Sequence, residues 1–189
     1  ISRTNGDYVC ILDADDELVS GWPTVLLGII NDCPNTCQVI YAACRNQFGI
    51  VTASNPEYEG LLNLDDLLNE RNAGEYLPIF RGEYVRNKLY IDLKTRKSCG
   101  VVSYINYAMD GPFWISNKVL RVYNEFQEGS VSSGWTKPSK ASETVCCYQV
   151  LLEKYGDLYR KRAPVVYLTK LLRLSVYLKL AKQSGVWRA

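Results

Sequence analysis

The stretch GDYVCILDADDELVSGWP, Gly6 to Pro23, sets three carboxylates, Asp13, Asp15 and Asp16, directly behind an apolar run. YVCIL (8–12) is aromatic and β-branched, with Gly6-Asp7 before it and acids after it, which predicts a short buried strand. PTVLLGIIN (23–31) predicts a helix with Pro23 in its first turn. Strand, acidic turn and helix in that order place the carboxylates at a strand's carboxyl end, where open α/β sheets bind ligands.

Working outward, QVIYAAC (38–44) predicts a second strand, and Asn55-Pro56 marks a loop. LLNLDDLLNE (61–70) spaces its apolar residues as a short amphipathic helix. GEYLPIFRGEYVRN (74–87) combines a strand-like LPIFR with a helical turn, and PFWISNKVLRVY (112–123) predicts a strand ending in Arg-Val-Tyr. EGSVSSGWTKPSK (128–140) has the composition of a loop. ETVCCYQVLLEKYG (143–156) predicts a helix stopped by Gly156, and a last helix follows Pro164 and ends before Gly185. No repeat is present. The economical reading is an α/β core with a helical C-terminus, divided into 1–127, a flexible loop 128–142 and a helical segment 143–189.

Composition narrows the chemistry. With 189 residues, 47% of them hydrophobic and 22% charged, the chain can build one folded domain with a core. A net charge of +2 gives no global field for nucleic acid. There is no His, so the commonest general base and zinc ligand are both missing. Seven Cys form no regular framework: Cys33 and Cys37 share helical spacing, and Cys146 and Cys147 are adjacent. This is the usage of reduced thiols in a cytoplasmic protein. No apolar run approaches the ~20 residues of a membrane span, and no secretory leader is recognisable. From Tyr159 onward, Arg160, Lys161, Arg162, Lys170, Arg173, Lys179, Lys182 and Arg188 meet no acid. The last helix, with Leu168, Leu171, Leu172, Ser175 and Leu178 near one side, is therefore either packed on the core or a peripheral contact with an anionic membrane.

Three chemistries use Asp-x-Asp after a strand. A calcium loop of the EF-hand type fails, because its sixth position would be Leu18 and its twelfth Thr24. A phosphatase of the haloacid dehalogenase type would use the first Asp as nucleophile and the second as acid/base. ILDADDEL resembles that motif, although Glu17 stands where Thr or Val is usual and Asp65-Asp66 falls inside a helical pattern. The third is a nucleotide-sugar site, where carboxylates hold Mg²⁺ or Mn²⁺ and the ion bridges to a diphosphate that carboxylates alone would repel.

GDYVCILDADDEL resembles the Asp-x-Asp region of family 2 glycosyltransferases, which have the GT-A fold. GEYLPIFRGEYVRN is similar to a later segment in which a strand leads into an Arg-containing turn, and PFWISNKVLRVYNEFQEGSVSS to the strand, Arg-x-Tyr and Ser-containing loop beyond the acceptor site. The resemblance implies a GT-A-like, Rossmann-related mixed sheet flanked by helices. It also implies that the chain starts near the end of the nucleotide-binding half, which explains why the acids lie so close to Ile1. By motif, Asp15 is the metal ligand, Asp13 contacts ribose or supports the metal, and Asp16 supports the turn or caps it. Arg81 faces diphosphate or an anionic acceptor, Arg121 and Tyr123 match Arg-x-Tyr, and Asn124 stands where many members carry His. The family's Glu-Asp base motif is absent between Lys88 and Asp110; Asp92 is the candidate base, with Asp110 the other acid in that interval. Trp135, between Lys-rich and Gly/Ser-rich stretches, suits a flap over the donor, and Trp114 suits the core. The implied activity is metal-dependent, inverting transfer from a UDP-linked donor to a glycan or lipid-linked acceptor at the inner face of the membrane. A non-catalytic relative is the alternative of a different class.

Overall fold

The computed structural model describes residues 3–91, 93, 99–124 and 138–183. The chain divides into two compact units, Ile1–Tyr90 with Asn106–Glu125, and Ile91–Ile105 with Phe126–Ala189.

The first unit is built on a mixed sheet. Its strands are β1 (Tyr8–Cys10), β2 (Glu17–Leu18), β3 (Val39–Asn46), β4 (Gly60–Leu62), β5 (Tyr76–Arg81) and β6 (Phe113–Tyr123), with helices α1 (Trp22–Asp32), α2 (Leu64–Leu68) and α3 (Gly82–Asn87) between them. The strand order is β1-β5-β3-β6-β2, with β4 also paired to β6. Because β5 is antiparallel to both β1 and β3, and β3 is parallel to β6, the strands β1, β3 and β6 all run the same way. The predicted α/β class and mixed sheet are what the chain adopts.

The strand period sorts the core. From β3, Ile40, Ala42 and Cys44 face one way and meet Leu77 and Ile79 of β5 and Ile29 and Cys33 of α1, an aliphatic layer. The intervening positions make an aromatic layer: Tyr41 stacks on Tyr76 at 5.4 Å and meets Phe113 edge-on, and Phe80 meets Tyr107. With both faces covered, β3 shows the continuous apolar run of a fully buried strand. All seven cysteines are free, and Cys33, Cys37, Cys44 and Cys147 pack as small apolar residues.

Several elements differ from the prediction, each for a local reason. β1 stops at Cys10 rather than at residue 12. Its last pair is Cys10 with Ile79, so the next would set Ile11 against Pro78, which has no N–H to give. The helix predicted over 61–70 divides: Gly60–Leu62 pairs with β6 as a strand, and Asn63 then caps α2 in a capping box with Asp66.

In the second unit the helix α5 (Pro138–Arg162) begins inside the predicted loop and runs through Gly156. The break comes instead at Ala163, the residue before Pro164, which the proline ring keeps out of helical geometry. α6 (Pro164–Gln183) returns against α5, with Tyr148 stacked on Tyr177 and Ala141 and Val145 beside Ala181. A helix α4 (Gly100–Ala108) lies in the Lys88–Asp110 interval, where no element was predicted. No helix among the described residues is long and apolar enough to cross a membrane.

Candidate functional site

Residues 11–16 carry the chain from β1 at one edge of the sheet to β2 at the other. Cys10 pairs at the level of Ile40, near the start of β3, and Glu17 at the level of Arg45, near its end. The loop thus advances along the strands as well as from one side of the sheet to the other, and it finishes at the carboxyl end of β6. A single turn interrupts it, closed by the Asp16 N–H donating to the Asp13 carbonyl at 3.2 Å. Asp13 and Asp15 are exposed on that turn, and Asp16 is buried.

Asp16 anchors the loop. Its Oδ1 accepts from the Asn124 N–H at 3.1 Å, and its Oδ2 lies 3.0 Å from Arg121 Nη1, a charge contact rather than an aligned hydrogen bond. Asn124 Nδ2 donates to the Asp15 carbonyl at 2.6 Å, so one residue at the end of β6 holds two consecutive residues of the loop. Arg121 is 3% exposed; its Nε donates to Cys44 Sγ, its Nη2 lies 3.6 Å from Glu75, and its guanidinium sits 5.3 Å from the Tyr123 ring. Beneath the exposed pair therefore lies a buried salt bridge joined to both β6 and β3.

Burial pushes the Asp16 carboxyl above its ordinary value; the Asn124 N–H and Arg121 oppose this, and the charges of Asp13 and Asp15 add to it. Burial works against the Arg121 charge too, yet Cys44, Asp16 and Glu75 hold its value up. The carboxyl is the member of the pair that titrates, because a guanidinium keeps its proton throughout the accessible range. Asp16 takes up a proton more readily than an ordinary Asp.

Among the described residues no group of three or more acids or thiols is placed to hold a metal ion alone. Two exposed carboxylates suit a different use. Magnesium-like ions commonly take one or two carboxylates and complete their shell with water and substrate phosphates. Asp13 and Asp15 are exposed and supply oxygen donors of that kind.

The other expected residues lie elsewhere. Arg121, expected at the substrate, is below the loop and supports it; Tyr123 is half-buried against the core. Arg81 is at the opposite end of β5 from Tyr76 and pairs with Tyr8 of β1. There it donates to the Cys37 carbonyl at 2.9 Å and to Asn35, and lies 5.6 Å from the Tyr8 ring. It lines a cleft of about 880 Å³ with Tyr8, Tyr84, Arg86, Lys88 and Asp110. Asp110 is engaged by Lys88 and by the Tyr84 hydroxyl at 2.7 Å, and those bonds hold its carboxyl below the ordinary value. Asp92 and Trp135 lie outside the described residues. Trp114 packs against the core as expected. In α2, Asp66 is occupied by its capping box and by Arg71, so the phosphatase reading loses the second acidic pair it needs. Asn124 was noted from the sequence only as standing in place of a His; its part in holding the loop was missed.

No family model matches the sequence. Over 142 residues the chain is 23% identical to the GalNAc(5)-diNAcBac-PP-undecaprenol beta-1,3-glucosyltransferase of Campylobacter jejuni, a match covering 72% of this chain and 44% of that protein. The crystal structure of S. aureus TarS 1–349 in complex with UDP-GlcNAc is similar with a TM-score of 0.55 and 13% identity, over 95% of this chain and 50% of that one. The chain spans about half the length of the relatives it matches. The likeness to TarS shows a shared fold.

Proposed function

We propose that the chain serves glycosyl transfer from a nucleotide-sugar donor, UDP-linked, to a glycan or lipid-linked acceptor, as a family 2, GT-A-type enzyme. The observation that carries this is the exposed pair Asp13 and Asp15 on a loop that leaves β1 and is pinned at the carboxyl end of β6 by Asp16, Arg121 and Asn124. Carboxylates facing solvent on a braced loop are suited to a cation that a diphosphate brings. The Campylobacter relative's name, a lipid-linked sugar acceptor and glucosyl transfer, and the UDP-GlcNAc bound in TarS support the choice of substrates.

Asp15 and Asp13 would hold Mn²⁺ or Mg²⁺, which when bound supplies charge neutralisation to the departing nucleoside diphosphate. Asp16 and Arg121 keep the two carboxylates in place without touching the donor. Inverting transfer further requires a carboxylate that accepts the acceptor hydroxyl's proton. Asp92, the candidate read from the sequence, is assigned that role; Asp110 is already bonded to Lys88 and Tyr84.

Calorimetric titration of UDP in the presence of Mn²⁺ tests the reading. Binding that requires both, and that disappears in Asp15→Ala with the unfolding transition unchanged, is the expected result. Wild-type chain that binds UDP equally with and without Mn²⁺, or not at all, would sink it.

A further inference from the structure

Helix α6 has two apolar faces. One is used inside its own unit: Leu174, Tyr177, Leu178 and Leu180 pack around Ala181 against Ala141 and Val145 of α5. The other stands in water. Val165, Leu168, Leu172 and Val176 are 76, 60, 69 and 57% exposed. Their spacing of three, four and four residues sets them in one line along the first three turns. Scattered exposed leucines need no explanation, but four large apolar side chains in a row make a patch.

The border of that patch is cationic. Lys179 and Lys182 continue the same line toward the C-terminal end, Arg173 lies alongside, and Lys161 and Arg162 are exposed where α5 hands over to α6. Lys170 is different: it is 6% exposed and sits 5.2 Å over the Tyr159 ring, on the face turned to α5. Between Leu158 and Gln183 there is no acid. A line of aliphatic side chains bordered by Arg173, Lys179 and Lys182, with no acid on the same helix, complements a surface that is apolar within and negatively charged at its rim, and an anionic lipid leaflet has that arrangement. α6 does not have the apolar length to cross a bilayer, so the contact lies in the plane of the interface.

We propose that α6 docks on an anionic membrane surface, with Val165, Leu168, Leu172 and Val176 among the acyl chains and Arg173, Lys179 and Lys182 at the phosphates. The docking surface stands on α6 alone and does not depend on the glycosyl-transfer reading.

Co-sedimentation of the whole chain with phosphatidylcholine vesicles, and with phosphatidylcholine mixed with phosphatidylglycerol, tests it. The chain is expected to sediment with the mixed vesicles only and to be released by salt. The pair Leu168→Gln and Leu172→Gln should lower the partition coefficient by at least about tenfold. Lys179→Gln and Lys182→Gln should each lower it about fivefold. All four side chains are exposed or at the helix surface, so the circular dichroism spectrum and melting transition should stay put, which separates loss of docking from loss of fold. Equal sedimentation with both vesicles, none with either, or binding indifferent to the glutamine pair would overturn the proposal. So would concentration-dependent dimerisation that the glutamine pair abolishes, which would give the stripe to a second copy of the chain.

Discussion

At the scale of single residues, the three acids of the loop divide by burial, although they sit within four positions of one another. Asp13 and Asp15 are exposed, and Asp16 has a side chain 1% exposed against Arg121 at 4%. Removing an exposed carboxylate leaves nothing uncompensated, so Asp15→Ala should move stability by no more than about 0.5 kcal/mol. Removing one partner of a buried pair strands the other charge, and Arg121→Met should cost about 3 kcal/mol. Urea midpoints of the two variants check the contrast; equal midpoints would mean the pair does not hold the loop. Acidity gives a second handle. A carboxyl with a folded-state value above 3.8 binds its proton more tightly folded than unfolded, so Asp16 favours folding at low pH and loses that contribution as pH rises through its folded value. Asp110 has the opposite sign: held down by Lys88, it stabilises above 3.8 and loses this as pH falls through its folded value. Lys88→Met should therefore flatten the acid side of the stability profile, and Asp16→Asn the rise that Asp16 contributes on going from neutral pH toward 4. Urea melts across that range would expose a reversed sign at once.

At the scale of elements, two glycines inside or beside helices make opposite demands. Gly82 opens α3 at the end of β5, where its N–H donates to the Asp7 carbonyl at 2.7 Å. A Cβ there would stand 2.0 Å from the Gly6 carbonyl oxygen, which is backbone and cannot swing aside. Gly82→Ala should cost about 2 kcal/mol or more through forced separation of β1 from β5. Gly156 lies within α5, and an added Cβ would meet Tyr167 at an ordinary 3.8 Å. Gly156→Ala should stabilise by about 1 kcal/mol, because the helix interior no longer carries glycine's backbone entropy. Thermal melts of the two variants shifting in the same direction would refute this assignment. The same two positions show what was legible beforehand. Gly156 was expected to end its helix, as glycine often does, but the true stop is the restriction that Pro164 places on Ala163, a signal equally present in the sequence. The strands β3, β5 and β6 and the helix α1 were readable because apolar runs and a leading proline are local signals. α4 was not, since GVVSYINYA is apolar and β-branched and only packing selects helix for it. In the candidate site, the position of Asp13 and Asp15 on an exposed turn behind a strand was legible. The work of Arg121 and Asn124 was not, because a contact between residue 16 and residues 121 and 124 belongs to the sheet's topology.

At the scale of the whole molecule, the sheet's order sets how firmly each part of the site is held. β3 is paired on both sides, to β5 and β6, and is buried along almost its full length. The acid loop hangs instead between three residues of β1 and two of β2. Cooperative opening follows buried area and shared hydrogen bonds, so the ends of the loop should open locally at free energies far below those that free β3. In native-state hydrogen exchange, the amides of Ile40 to Cys44 should be the slowest of the sheet and should exchange only through global unfolding. Those of β1 and β2 should exchange sooner, with a weaker dependence on denaturant, because little surface is exposed when a short strand lifts. Arg121→Met should hasten exchange in Glu17 and Leu18, whose partners are Val122 and Arg121, more than in β1, whose partners are in β5. Protection in β1 and β2 that matched β3 and shared its denaturant dependence would mean the loop is part of the core's cooperative unit. The carboxylates would then be fixed by the fold as a whole, and the Asp16–Arg121 pair would not be their particular support.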